Sequence, residues 1–135
     1  VVVDLGPDMN QNGIGLFNWF MRQKGTINGF SGAIWTGVTT LTLAKAMEIG
    51  LEQNLCGLYN LVNNDNISKY DLLQLFKKHF TSDHLNIEKD NNFQLDKTLL
   101  NTRNDFLFTV PTYEEMIKEM KDWVVKYKEL YPHYK

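Results

Sequence analysis

The sequence predicts a small, helix-rich mixed α/β lobe with few and short strands. Two observations predict it. Apolar runs bounded by turn residues alternate along the chain with segments whose apolar positions recur near every 3.6 residues. The strand signals are also too few and too short to build a sheet alone, so the lobe reads as the flank of a larger α/β protein.

Taken in order, Val1-Val2-Val3-Asp4-Leu5 is β-branched and apolar and stops at Gly6-Pro7, which reads as a short buried strand. The run begins without a methionine, as a strand entered mid-fold would. Residues 14–23, "IGLFNWFMRQ", carry Leu16, Phe17, Trp19, Phe20 and Met21 and read as a largely buried helix ended by Gly25. "TINGF" (26–30) reads as a very short strand, and 29–37 as a Gly-rich loop. From Thr39 the apolar residues Leu41, Leu43, Ala44, Ala46, Met47 and Leu51 have helical spacing, with Thr39 or Thr40 as cap. "GLYNLV" (57–62) reads as a strand closed by "NNDN".

"SKYDLLQLFKKHF" (68–80) reads as a helix in which Ser68 and Asp71 make a variant capping box. "LNIE" (85–88) is a weak strand and "KDNNFQLDK" a loop. "VPTYEEMIKEMKDWVVKYKEL" is the clearest helix, with Thr112 and Glu115 as capping box and Met116, Met120, Trp123, Val124 and Tyr127 as its apolar face. Trp19, Trp123 and the methionines are expected in the core.

Composition narrows function by exclusion. A net charge of -2 supplies no basic face for nucleic acid. The lysines after residue 118 are offset by Glu114, Glu115, Glu119, Asp122 and Glu129 and read as a solvated helix face. No apolar run approaches the roughly 18 residues that cross a membrane. The single cysteine, Cys56, reads as a buried structural thiol, and the absence of a disulfide framework fits an intracellular, cytoplasmic protein. His79, His84 and His133 lack metal-ligand spacing, and His79 reads as a surface residue at a helix end. "GPDMNQNGIG" lacks the third glycine of a dinucleotide loop. No catalytic, cofactor-binding or metal-binding residue is assigned.

Three residues remain as candidates for ligand contact. Trp35 offers an aromatic face and Thr36 a hydroxyl beside the amides of a Gly-rich stretch, groups that suit a sugar or a phosphate. The same Trp35 reads equally as a tryptophan buried at a loop–helix joint. Arg103, in "NTRND", has the fork that grips a diphosphate, and reads equally as a solvated loop arginine.

Four segments, in order, resemble the C-terminal part of the dTDP-4-dehydrorhamnose reductases and their relatives among the extended short-chain dehydrogenases/reductases. Gly37-Val38-Thr39-Thr40 followed by Leu43-Ala44 is similar to their G-x-P-T loop and helix, with valine for proline. Gly57, Leu58, Tyr59, Ser68 and Tyr70 are similar to their G-[IV]-Y-H-[LV] strand and the turn after it, with Asn60 for histidine. Thr98, Leu100, Asn101 and Thr102 are similar to an N-S-x-L-[DN]-T segment, and Pro111 with Tyr113 to the closing proline–aromatic helix. Leu16-Phe17 stands where relatives have N-F.

The resemblance implies that residues 1–135 are one C-terminal substrate-binding domain. An N-terminal Rossmann domain would carry the NAD(P) loop and the Tyr-x-x-x-Lys pair. Neither occurs here in the family's context; Tyr131 and Lys135 have the spacing but lie in the tail. The family's Arg-Pro is replaced near Gln94 and Leu95. The implied parent is a reductase or epimerase of nucleotide-linked 4-keto sugars in carbohydrate or cell-surface polysaccharide biosynthesis, with Trp35, Thr36 and Arg103 as substrate contacts and no cofactor on this lobe. The alternative is a non-catalytic binding or regulatory module of the same fold. A lobe parted from its Rossmann domain would expose apolar surface and self-associate at high concentration.

Overall fold

The computed structural model describes residues 5–80 and 85–134. The strand expected at 1–5 therefore falls, for residues 1–4, outside the described residues; Leu5 is buried in the core. The elements are α1 (Leu16–Met21), β1 (Gly25–Trp35), α2 (Thr40–Glu52), β2 (Ile67–Ser68), α3 (Lys69–Phe80), β3 (Leu85–Lys97) and α4 (Tyr113–Lys126), followed by a 3₁₀ turn at Lys128–Leu130. They form a mixed α/β lobe around a three-stranded sheet of order β2-β1-β3.

β1 is the central strand. It pairs antiparallel with β2 through Ile34↔Ser68 and Trp35↔Ile67, and parallel with β3 from Gly25↔Leu85 to Trp35↔Lys97. The parallel register shifts after Phe30↔Asp90 and resumes at Gly32↔Gln94, so residues 91–93 of β3 bulge opposite Ser31. At Gly29 the sheet meets α3: an added Cβ would come within 2.9 Å of Tyr70 Cα. A side chain there would push helix and strand apart.

The helix starts obey local chemistry. Thr39 Oγ accepts from Thr42 N at 3.3 Å, and Ser68 Oγ accepts from Asp71 N at 3.0 Å while donating to Asp71 Oδ2 at 2.6 Å. Thr112 and Glu115 close a reciprocal capping box at α4. Bonds from the Thr112 backbone N–H, and then from its hydroxyl, hold the Glu115 carboxyl below its ordinary value of 4.5. A carboxylate with a depressed folded-state pKa stabilises the fold above its unfolded pKa, and that stability is lost as pH falls through the folded value. Glu115→Gln is thus expected to melt below wild type at neutral pH, with the gap closing below about pH 4. Thermal melts across the acid range check it; a gap that persists at low pH contradicts it.

The core lies between the sheet and helices α1, α3 and α4. Phe17, Phe20, Leu72, Leu73, Phe76 and Met120 have no exposed surface. Phe17 meets Phe76 and Phe80 edge-on at centroid distances of 5.2 and 4.5 Å, and Phe20 lies 5.4 Å from Phe76.

Several expectations are corrected. Residues 29–35 are not a loop but the second half of β1, because pairing with β3 runs along the strand and β2 adds pairing at Ile34 and Trp35. Residues 89–97 are not a loop either. They continue β3, whose side chains beyond Ile87 stay mostly exposed, so backbone pairing rather than burial holds them extended. "GLYNLV" at 57–62 joins no ladder among the described residues. Cys56 is exposed, not buried; its thiol donates to the Asn54 carbonyl at 3.4 Å. Trp123 sits at the surface, its indole N–H donating to the Tyr131 hydroxyl at 3.1 Å, and Met9 and Met47 are exposed. His79 is largely covered and bonds Glu114 through Nε2 at 2.7 Å. His84 lies outside the described residues.

Candidate functional site

Trp35 is the last residue of β1 and is 9% exposed. Its ring lies over Gly37, where an added Cβ would come within 2.0 Å of ring carbon Cζ3, so glycine is required for this close approach. It meets Tyr113 edge-on with centroids 6.0 Å apart. Burial pushes the Tyr113 phenol up to about 12, and its hydroxyl donates to the Asp65 carbonyl at 2.7 Å. Trp35 is thus packed on one side, and on the other it lines a groove of about 290 Å³.

That groove runs between α1 and the sheet. Leu16, Phe30, Trp35, Phe93 and Leu95 form its apolar walls, and Lys69 and Lys97 are its charged residues. Phe30 and Phe93 pair across the bulge at 5.2 Å. Lys69 Nζ lies 5.1 Å from the Trp19 ring centroid and 5.2 Å from that of Phe30. Among the described residues no carboxylate comes within 4.0 Å of this ammonium. Burial lowers the Lys69 pKa from its ordinary value. An apolar, aromatic cleft with two cations suits an anion carrying a flat apolar body.

Thr36 is buried and spends its hydroxyl internally. It accepts from Leu99 N at 2.7 Å and donates to Leu99 O at 3.2 Å. From there the 57–64 and 98–105 segments are laced by side-chain amides. Asn60 donates to Leu100 O at 3.0 Å, and Asn64 both donates to Asn101 O (3.1 Å) and accepts from Asn101 N (2.7 Å). Asn101 donates to the Tyr59 hydroxyl at 2.6 Å.

Arg103 closes this seam. Its Nε and Nη2 donate to both Asp105 carboxylate oxygens at 2.9 and 2.6 Å, and Nη1 donates to Leu58 O at 2.7 Å. The guanidinium also covers the Tyr59 ring at 5.4 Å. The hydrogen bonds to Asp105 hold the arginine above its ordinary pKa and the aspartate below its own. These bonds occupy three of the guanidinium's five N–H groups.

Of the sequence candidates, Trp35 borders the groove, and Thr36 joins β1 to the seam that holds Arg103. The sequence reading missed Lys69, Phe30 and Phe93. Lys69 was hidden inside a capping pattern, and no spacing relates residues 16, 30, 69 and 93; only the parallel pairing of β1 with β3 and the seating of α1 join them. Among the described residues no three metal-ligating side chains cluster, and no helix is long and apolar enough to cross a membrane.

No family model and no curated protein matches the chain. Solved structures do. A dTDP-4-dehydrorhamnose reductase from Bacillus anthracis, in complex with NADP, aligns over 82% of this chain and 43% of its own, at TM-score 0.69 and 12% identity. A dTDP-glucose 4,6-dehydratase from the same organism, in complex with NAD, aligns over 93% of this chain and 43% of its own, at 0.62 and 15%. A UDP-N-acetylglucosamine 4-epimerase from Methanobrevibacter ruminantium, in complex with UDP-N-acetylmuramic acid, aligns over 90% and 43%, at 0.63 and 17%. At these identities the likeness is one of fold. The chain spans less than half the length of each of these neighbours.

Proposed function

We propose that residues 1–135 form the substrate-binding lobe of an NAD(P)-dependent oxidoreductase or epimerase acting on a nucleotide-linked 4-keto sugar, in cytoplasmic carbohydrate biosynthesis. The observation that carries this reading is the groove beside Trp35: its aromatic walls suit a base or sugar ring and its two lysines suit a phosphate. The fold it shares with proteins crystallised with NADP, NAD and a UDP-sugar supports it. In this reading a dinucleotide-binding lobe outside residues 1–135 supplies hydride chemistry and the proton-donating tyrosine. This lobe shapes the sugar pocket and excludes water, with Trp35 in the groove wall and Thr36 and Arg103 as proposed contacts on the adjoining 57–64 and 98–105 seam.

Titrating dTDP- and UDP-sugars into the full-length gene product tests it. Trp35→Phe and Arg103→Ala are each expected to weaken binding about tenfold or more, roughly 1.4 kcal/mol. Unchanged affinity in both variants removes these residues from the site. If no nucleotide-sugar binds, the second reading, a non-catalytic module of the same fold, takes its place. One observation favours that second reading: Arg103 is already engaged by Asp105 and Leu58.

The apolar residues Met47, Leu51, Leu58 and Leu107 are 61%, 80%, 87% and 84% exposed, and the proposed second lobe would cover apolar surface of this kind. The chain by itself is accordingly expected to self-associate as concentration rises. Sedimentation over a wide concentration range checks this; a monomer throughout contradicts it.

A further inference from the structure

Lys69 is placed unlike an ordinary surface lysine. It is the first residue of α3, and the Ser68–Asp71 capping bonds fix its backbone. Its side chain is half-buried and runs between Trp19 and Phe30 into the groove. Lys45 and Lys78 are paired with Glu119 and Glu114, whereas no carboxylate among the described residues faces Lys69. Three effects act on its ammonium. Loss of water disfavours the charge, and so does the positive end of α3; the two aromatic faces favour it. Burial prevails, and the pKa falls. A lysine held this way presents a neutral, nucleophilic amine more often than a solvated one.

We propose that Lys69 is a modification site: a reactive amine that condenses with a planar, unsaturated aldehyde carrying an anionic group. The apolar walls around Nζ take the flat body of such a molecule, and Lys97 on the same groove supplies the counter-charge for its anion. In the step, the Nζ lone pair attacks the carbonyl carbon and a C–N bond forms. The C–O bond then breaks, and the oxygen leaves as water with the two amine protons. The product is an imine, with no change of oxidation state. This inference shares its groove with the nucleotide-sugar reading but is tested apart from it: selective labelling of Lys69 does not require that a nucleotide-sugar bind, and a failed sugar titration leaves the labelling result standing.

The test uses pyridoxal 5′-phosphate as probe at less than one equivalent, trapping with borohydride and peptide mapping by mass spectrometry. Lys69 is expected to be modified on the order of tenfold faster than the exposed Lys24 and Lys118, because the groove seats the flat ring of the probe beside its Nζ. Lys69→Arg, which keeps the charge and the stacking, is expected to remove the fast reaction and leave the slow one, with an unchanged circular dichroism spectrum. Lys97→Gln is expected to abolish the advantage of the phosphorylated probe over plain pyridoxal. Labelling spread evenly over the lysines of the wild-type chain overturns the proposal, whatever the variants do. Equal rates for the phosphorylated and plain probes in the wild type overturn its anionic part.

Discussion

Phe76→Ala is expected to lower the free energy of unfolding by about 3–5 kcal/mol, the range for deleting a fully buried aromatic side chain. Phe76 has no exposed surface and sits where α1 and α3 meet, against both Phe17 and Phe20. Both of those rings belong to α1 while Phe76 belongs to α3, so the space left behind cannot close without moving α1 relative to α3. Part of the loss is dispersion energy and part is the edge-to-face pairing, which area alone does not count. Urea denaturation measures it. A loss below about 1 kcal/mol would show that this cluster does not hold α1 against α3.

Asn18→Ala is expected to cost about 1–3 kcal/mol, because a buried side chain that bonds three loop carbonyls and a tyrosine hydroxyl is lost. Asn18 is 1% exposed, and its Nδ2 donates to the carbonyls of Gly13, Gln11 and Asn10 at 2.8, 3.2 and 3.3 Å. Its Oδ1 accepts from the Tyr134 hydroxyl at 3.0 Å, and that hydroxyl accepts from Asp8 N at 2.8 Å. One side chain thus folds the 8–13 loop and ties the tail to it. Amide hydrogen exchange over residues 10–14 is expected to accelerate in Asn18→Ala and to a smaller extent in Tyr134→Phe. Unchanged exchange in both variants would refute the role of this network.

Asn18 was invisible as a core residue in the sequence. It stands in the middle of "LFNWFM", where periodicity assigns burial to its apolar neighbours, and an asparagine enters a core only when its bonds are met there. The helix starts were legible for the opposite reason. Thr39, Ser68 and Thr112 bond amides three residues on, so their role needs nothing distant. The strands divided along the same line. "TINGF" announced the start of β1, but residues 31–35 became strand only because β2 and β3 lie on either side. The run 89–97 is mostly polar and mostly exposed, and its only apolar alternation, Phe93 and Leu95, lines the groove and not the core. "GLYNLV" has the composition of a strand but pairs with nothing among the described residues.

The candidate site follows the same division. Trp35 and Thr36 stood out by residue type next to glycines, and the fold sets one at a groove and the other in a bond to Leu99. Arg103 stood out by its charge, but Asp105 two residues on already engages it. Side-chain chemistry within a few residues determined the helices, their caps and the mixed α/β class. The reach of β1, the polar half of β3, the burial of Asn18 and the meeting of Lys69 with Trp19, Phe30 and Phe93 were decided only by tertiary structure. Each depends on groups from distant parts of the chain, and the free energy of such contacts exists only once packing has brought them together.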